Sequence, residues 1–175
     1  MWVRKSGQSG FTIIELLVVI VVIGILSTLV LVAYNGVQDR ANNASRLSEI
    51  NTWRKLFELY KAQNGTYPLM PDGGYCLGTG FPGGKCRDYL ANNVYTLTEA
   101  GSTALMDKIK TVAPIPQTSH VGVNETVGPY VYYGSMGWFE ITGVFKGGAS
   151  DCPKGLNYMW DDGNGRLLCY IDVLL

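Results

Sequence analysis

The chain is poor in the residues that build catalytic sites. It has one histidine, His120, among 175 residues, and it lacks both a G-x-S-x-G nucleophile elbow and a glycine-rich phosphate-binding loop. No paired carboxylates stand near the histidine in the sequence. These absences predict a protein that is not an enzyme and uses no cofactor, with His120 in an exposed loop.

Cysteine is absent from the first 75 residues, which excludes a lipid-modified cysteine at the N-terminus. The four cysteines of the second part have no C-x-x-C spacing, so a zinc site is not indicated. An even count in an exported domain predicts disulfides, and three pairings are possible. We favour Cys76 with Cys86 and Cys152 with Cys169, because each pair closes a short loop bounded by glycines. A loop of about 15 residues stabilises a fold by about 3 kcal/mol.

The chain also has no excess of positive charge. Lysine and arginine number 14, as do aspartate and glutamate, and residues 65–175 hold seven basic against ten acidic side chains. A nonspecific nucleic-acid-binding surface needs a basic stripe that displaces phosphate counterions. Nucleic acid is therefore not expected as a partner of this part of the chain.

Charge is missing altogether from residues 16–33. About 20 apolar residues cross a bilayer as a helix, and Arg4 and Lys5 ahead of the run place its start on the cytoplasmic side. An ordinary secretory signal fits less well, since its apolar core has roughly 7 to 15 residues and is followed by an A-x-A-like site. We therefore predict a membrane helix.

Glu15 directly precedes this apolar run. A charge at the centre of a membrane helix costs about 2.5 to 3.5 kcal/mol on insertion scales. A buried carboxylate is tolerated when it is paired and hydrogen-bonded, so Glu15 is predicted to have a partner. The alternative is a side chain that reaches the lipid headgroups.

Gly10 and Phe11, with Glu15 and the following Leu16, Leu17, Val18, Val19 and Ile20, resemble the prepilin cleavage and methylation motif of type IV pilins and their relatives. The resemblance implies that a membrane-embedded prepilin peptidase cuts between Gly10 and Phe11 and N-methylates the new amine of Phe11. It also implies that Glu15 is needed for assembly, through the N-terminal amine of a neighbouring subunit. That amine lies about one helical turn from Glu15, so pairing within one subunit stays open.

Past residue 33 the apolar residues narrow to a stripe with steps of three or four, which predicts an amphipathic helix. The stripe consists of Val37, Ala41, Ala44, Leu47, Ile50, Trp53, Phe57 and Tyr60, with Arg46 among the charged residues on other faces. Asn64 and Gly65 end the helix, and Pro68 prevents its resumption. The run from Asn64 to Pro68 also resembles the end of the long helix in many pilins and pseudopilins. The predicted parts are a leader (1–10), a transmembrane or filament-core helix (11–33), an amphipathic helix (34–64) and a globular head (65–175).

Two glycines are the predicted weak points of the long helix. Glycine costs roughly 1 kcal/mol against alanine inside a helix, and Gly24 lies in the apolar half while Gly36 follows just past it. We expect extension in a filament to be shared between these positions. Close helix packing in lipid is an equally good explanation of Gly24.

The head is predicted to complete an α+β fold, with an antiparallel sheet of about four strands against the long helix. Thr96, Leu97, Thr98 and Glu99 have the form of a capping box and predict a short helix reaching about Lys110. The predicted buried side of that helix is Leu97, Ala104, Leu105, Ile109 and Val112.

The predicted strands are 130–133, 138–145, 156–160 and 166–173, rich in aromatic and β-branched residues. Residues 71–86 are expected to be irregular, and the aromatic side chains of the strands (Tyr130, Tyr132, Tyr133, Trp138 and Trp160) are expected in the core.

Asp161, Asp162 and Asn164 crowd oxygen ligands between the last two strands. They are weak calcium candidates, since major pseudopilins are known for calcium in a C-terminal loop, although no EF-hand spacing is present. Ordinary hairpin chemistry explains the same residues, and no other metal site is predicted.

The resemblance implies a structural subunit of a type IV pilus, a fimbrium that serves adhesion, twitching motility or DNA uptake. The alternative within the family is a pseudopilin of a type II-like secretion system; an alternative of another class is a membrane-tethered extracellular binding domain. The implied partners are other pilin subunits in a homopolymer, the prepilin peptidase, and an assembly ATPase with its inner-membrane platform. The precursor is expected to span the cytoplasmic membrane once with its head outside, and the assembled form to be an extracellular filament.

Overall fold

The computed structural model describes residues 10–79, 86–90, 94–98, 102–118, 128–134 and 138–173, and for residues 31–33, 35, 86–90 and 94–98 it describes the backbone alone. Two helices and seven strands lie in this part: α1 (Ile13–Asn64), β1 (Gly73–Cys76), β2 (Cys86–Leu90), β3 (Val94–Thr98), α2 (Thr103–Lys110), β4 (Tyr130–Tyr133), β5 (Phe139–Lys146), β6 (Asn157–Asp161) and β7 (Arg166–Val173). The chain divides into two compact units, the first ending at Asp39 and the second beginning at Arg40. Arg4, Lys5 and His120 lie outside the described residues.

The first unit holds the N-terminal part of α1. Its segment Ile13–Val30 is long and apolar enough to cross a membrane, with a mean hydropathy of 3.0 and no part of it buried by the protein. Two polar side chains interrupt the apolar surface. The hydroxyls of Ser27 and Thr28 donate to the carbonyls of Ile23 and Ile25 at 2.7 and 2.8 Å. Both donors are thereby satisfied within the helix, as a lipid environment requires.

The second unit contains an antiparallel seven-stranded sheet with the order β3-β2-β1-β4-β5-β7-β6. Its longest ladder joins β5 to β7, from Phe139 opposite Val173 to Lys146 opposite Arg166. The predicted α+β class, a helix with an antiparallel sheet head, is confirmed. The four predicted strands agree with β4 to β7 to within a residue at their ends.

The C-terminal part of α1 packs on the sheet through Ile50, Trp53 and Phe57, which are at most 1% exposed. The Phe57 and Phe139 rings lie 5.3 Å apart between centroids. The predicted apolar stripe is wrong at its start, because Val37, Ala41 and Ala44 are exposed. The prediction that Arg46 lies on a solvent face is also wrong. Its side chain is 6% exposed, since the helix contacts the head from this turn onward.

Strands β1, β2 and β3 are missing from the sequence prediction, which left 71–86 irregular. Glycine has low strand propensity, and β1 begins with Gly73 and Gly74. Tertiary pairing overrides that propensity, because all four residues of β1 pair with β4. Gly73 has φ 141°, a conformation that favours glycine, so the residue that weakens the strand signal also permits the entry into the strand.

The predicted capping box at Thr96 is wrong. Residues 96–98 belong to β3, where Thr96 pairs with Asp88, and Glu99 lies outside the described residues. Helix α2 instead starts after Ser102, whose hydroxyl accepts the amide of Leu105 at 3.4 Å. Residues 96–98 therefore form a strand because they pair with β2, although their capping pattern alone predicts a helix start. Of the residues predicted on the buried side of this helix, Leu105 and Ile109 are buried. Ala104 is exposed, Val112 is half-buried, and Leu97 belongs to β3. Met106, which was not predicted, is also buried.

The aromatic prediction for the strands is partly wrong. Tyr130 and Tyr133 are buried, and Tyr132 is half-buried, but Trp138 and Trp160 are 38% and 42% exposed. Trp160 lies on β6, which is at the edge of the sheet formed by the described strands. Its indole faces the Arg166 guanidinium, 5.5 Å from the ring centroid, which accounts for an exposed aromatic side chain.

Candidate processing and assembly site

Helix α1 begins with a complete capping box made by Thr12 and Glu15. The Glu15 carboxylate accepts the Thr12 backbone amide and the Thr12 hydroxyl through Oε2, both at 2.8 Å. In return the Thr12 Oγ1 accepts the Glu15 amide at 3.3 Å. Threonine followed three residues later by glutamate satisfies two orphan amides at a helix start and places negative charge at the positive end of the helix dipole.

The sequence prediction missed this partner of Glu15, although the T-x-x-E pattern of residues 12–15 carries it. An intramembrane carboxylate is costly because hydrocarbon offers it no donors. In the uncut chain Thr12 supplies two donors to it at once. Glu15 is therefore already hydrogen-bonded before any amine exists at Phe11.

Gly10 and Phe11 precede the cap and are not helical. Both residues are exposed, Phe11 at 90%. A Cβ placed on Gly10 would meet no atom within 4 Å, so nothing in the described fold requires glycine here. The peptide bond between these two residues is thus exposed in the described part of the chain.

Gly24 and Gly36 both lie inside the continuous helix α1. Neither has an atom within 4 Å of the position that a Cβ would take. Among the described residues, no close contact outside the local helix backbone therefore explains either glycine. Their proposed roles, helix loosening or close packing against another helix, stay predictions.

Cys152 and Cys169 form a disulfide with an S–S distance of 2.04 Å. It ties the segment before β6 to the middle of β7, where Cys169 is fully buried. Cys76 is also disulfide-bonded, and it is buried at the end of β1. The Cys86 side chain lies outside the described residues, so its pairing with Cys76 stays a prediction.

The calcium candidates form a hydrogen-bonded turn between β6 and β7. Asp161 accepts the Gly163 amide at 3.0 Å and the Tyr158 hydroxyl at 2.9 Å. Asp162 accepts the amides of Asn164 and Arg166 on one oxygen, at 2.8 and 2.9 Å, and contacts the Arg166 Nε at 3.3 Å with the other. Three of the four carboxylate oxygens thus accept hydrogen bonds, and the fourth is paired with the Arg166 guanidinium. This is the chemistry of a hairpin turn, and an ion would have to displace these contacts.

Comparison with known proteins supports the N-terminal motif. Residues 5–31 match the family model described as the prokaryotic N-terminal methylation motif. Curated relatives named type II secretion system core protein G are 37% identical over 70 residues in Klebsiella michiganensis and in Aeromonas hydrophila, covering 40% of this chain and 49% of each relative. The relative of that name from Escherichia coli K12 is 36% identical over 66 residues, 38% of this chain and 46% of that protein. No solved structure matches the chain.

The capped helix, the accessible Gly10–Phe11 bond and the matched motif define a protein with a prepilin-type N-terminus. Together with the relatives above, they support the resemblance of this chain to type IV pilins and pseudopilins. The match spans about half the length of those curated relatives.

Proposed function

We propose that this chain is a pseudopilin, a structural subunit of a type II-like secretion system, rather than the pilus subunit that the motif alone put first. Its relatives all bear the name of a secretion core protein, which supports the alternative over the pilus. The proposed role is structural and non-enzymatic, and the names of the same relatives support it. The role of the whole chain is a proposal, because the match covers 49% of the relative from Klebsiella michiganensis.

The observation that carries the proposal is the Thr12–Glu15 cap directly behind an exposed Gly10–Phe11 bond. The precursor is anchored by 13–30 in the cytoplasmic membrane, with its head outside. A prepilin peptidase removes residues 1–10 and methylates Phe11. The new amine then competes with Thr12 for Glu15, from its own chain or from a neighbour, as subunits enter a homopolymer built by an ATPase and its membrane platform.

Processing is tested by the mass of the N-terminus. Gly10→Val adds a branched side chain where no atom lies within 4 Å, so the fold should be unchanged. We expect the native chain to start at methylated Phe11 and the variant to keep residues 1–10. A native chain that starts elsewhere would refute the processing step.

Assembly is tested by Glu15→Gln, with Ser27→Ala as the matched control. Ser27 is a second polar side chain on the same apolar segment, and its hydroxyl bonds only to the carbonyl of Ile23. In a strain lacking the native chain, we expect Glu15→Gln to be cleaved, to stay in the membrane and to abolish secretion, while Ser27→Ala restores it. Long surface fibres with normal secretion would favour the pilus, and full activity of Glu15→Gln would favour a membrane-tethered binding domain.

A further inference from the structure

Two carboxylates oppose each other across β5 and β7, on the sheet face away from α1. Glu140 and Asp172 are directly opposite in the antiparallel ladder. Residues in this relationship have Cβ atoms about 4.5 to 5.5 Å apart, and like charges placed so destabilise a sheet. The pair stands next to the last rung of the ladder, where Phe139 is opposite Val173.

The two carboxylates differ in the hydrogen bonds that they accept. Asp172 accepts a hydrogen bond from the side-chain amide of Asn157 on β6, at 3.2 Å. In the described part of the chain Glu140 accepts no hydrogen bond, and Tyr132 is the residue opposite it on β4. A charged Glu140 therefore has a repelling neighbour and no donor, whereas a protonated Glu140 has a proton to donate to Asp172.

No nearby cation offsets the two negative charges among the described groups that face them. On this face of the β5–β7 ladder the basic residues are Lys146 and Arg166, and they form the opposite rung at its other end. Six residues of strand separate the two rungs, roughly 20 Å at about 3.3 Å per residue. That distance exceeds the screening length of about 8 to 10 Å in physiological salt. Asp172 is the charged group that acts on Glu140, while the neighbouring Tyr132, Asn157, Thr142 and Tyr170 carry hydroxyl or amide groups.

We propose that Glu140 and Asp172 share one proton and form a pH-dependent latch on the C-terminal end of β7. With the proton bound, Glu140 donates to Asp172 and closes the ladder near Val173. Without it, the two carboxylates repel, and the last rungs of the β5–β7 ladder open more often. The head is thereby held more tightly in mildly acidic surroundings than in alkaline ones.

The direction of the pH dependence follows from linkage. Burial, and next to it the Asp172 charge, raise the pKa of Glu140 from 4.5 to about 7. The folded chain therefore holds this proton more strongly than the unfolded chain does. The stabilising effect is complete below the unfolded value and is lost as the pH rises through the folded value.

The first measurement is a ¹³C titration of the glutamate carboxyls by nuclear magnetic resonance, on the full chain in detergent micelles. We expect the Glu140 midpoint near neutral pH, and a fall of about one pH unit or more in Asp172→Asn, where the repelling charge is gone. A Glu140 midpoint in the ordinary glutamate range would overturn the proposal.

The second measurement follows the ladder itself through backbone amide exchange. The amide of Val173 is compared with that of Leu168 in the same sample, which cancels the intrinsic effect of pH on exchange. From about pH 6 to about pH 8 we expect the relative protection of Val173 to fall several-fold in the native chain and to stay constant in Glu140→Gln. The control is Asp107→Asn, which removes a carboxylate from the exposed face of α2 and should keep the native pH profile. Equal pH profiles in the native chain and Glu140→Gln would show that no latch exists.

Discussion

The side chain of Asn43 pairs with the backbone of Lys146 through two hydrogen bonds, as a neighbouring strand would. Its amide donates to the Lys146 carbonyl at 2.8 Å, and its Oδ1 accepts the Lys146 amide at 3.0 Å. The same Oδ1 accepts from the Arg46 guanidinium at 3.2 Å. Helix α1 is thus fastened to the end of β5 at the turn where its side chains begin to be buried.

Replacing Asn43 by alanine should weaken this attachment. Both hydrogen bonds are lost, but the site is partly open to water, so we expect a loss of about 1 kcal/mol in the free energy of unfolding. Urea denaturation of the full chain in detergent, followed by tryptophan fluorescence, measures it. Asn42→Ala is the matched control, since Asn42 is the preceding residue of the same helix and makes no side-chain hydrogen bond among the described residues. If Asn43→Ala and Asn42→Ala lose the same free energy of unfolding, the loss comes from helix propensity and not from the bonds to Lys146.

At Gly143 on β5 the sheet lies close to Ile50 of α1. A Cβ there would lie 2.3 Å from Ile50 Cδ1 and 3.2 Å from its Cγ1. Overpacking of this kind costs about 1 to 3 kcal/mol, which is the destabilisation that we expect for Gly143→Ala.

A double-mutant cycle separates this contact from other effects of the new methyl group. Ile50→Val shortens the side chain by its Cδ1 atom, so it should recover part of the loss in the Gly143→Ala background. Gly148→Ala is the control, because a Cβ there meets a single atom at 3.9 Å, and its stability should be unchanged. Additive effects at positions 50 and 143 would contradict the proposed contact.

Removal of the disulfide between Cys152 and Cys169 should destabilise the head. The bond links residues 17 positions apart, and a closed loop of this size is worth about 3 kcal/mol in the unfolded-state model. We expect a lower melting temperature for Cys152→Ala/Cys169→Ala, measured without reductant by circular dichroism. If the double variant melts at the native temperature, this bond does not limit stability.

The turn at Asp161 and Asp162 should be stable without calcium. Its carboxylate oxygens already accept hydrogen bonds from backbone amides and a hydroxyl or are paired with a guanidinium, so an ion gains little by displacing these groups. Chelator and added calcium should leave the melting temperature unchanged within about 1 °C, whereas Asp162→Ala should lower the free energy of unfolding by about 1 to 2 kcal/mol. A marked rise in melting temperature with calcium would instead establish Asp161, Asp162 and Asn164 as ligands.

Local patterns predicted the elements that carry a strong periodic signal. The long uncharged run and the stripe of Ile50, Trp53 and Phe57 gave α1, and alternating aromatic residues gave β4 to β7. The failures occur where a partner strand outweighs local preference. Thr96 has capping chemistry but pairs with Asp88, and Gly73 has low strand propensity but pairs with Tyr133.

Local sequence patterns predicted the residues of the candidate site but not the hydrogen bonds between them. Gly10, Phe11 and Glu15 were identified by their motif, because the motif is a short contiguous sequence, and residues 5–31 match its family model. The hydrogen bonds from Thr12 to Glu15 were missed, although both residues lie within one turn. The resemblance directed the prediction to the amine of Phe11, in the same or a neighbouring subunit, whereas the donors present in the uncut chain are those of Thr12 at the helix start.

By itself the sequence determined what depends on neighbours along the chain: the apolar run, the processing motif, the capping residues, and the helix that ends at Asn64. The tertiary structure decided which distant residues meet. It placed Glu140 opposite Asp172, Asn43 on the Lys146 backbone, and Ile50 over Gly143. Such meetings depend on strand register and on the angle at which a helix crosses a sheet, and both are set by the packing of the whole core rather than by any local pattern.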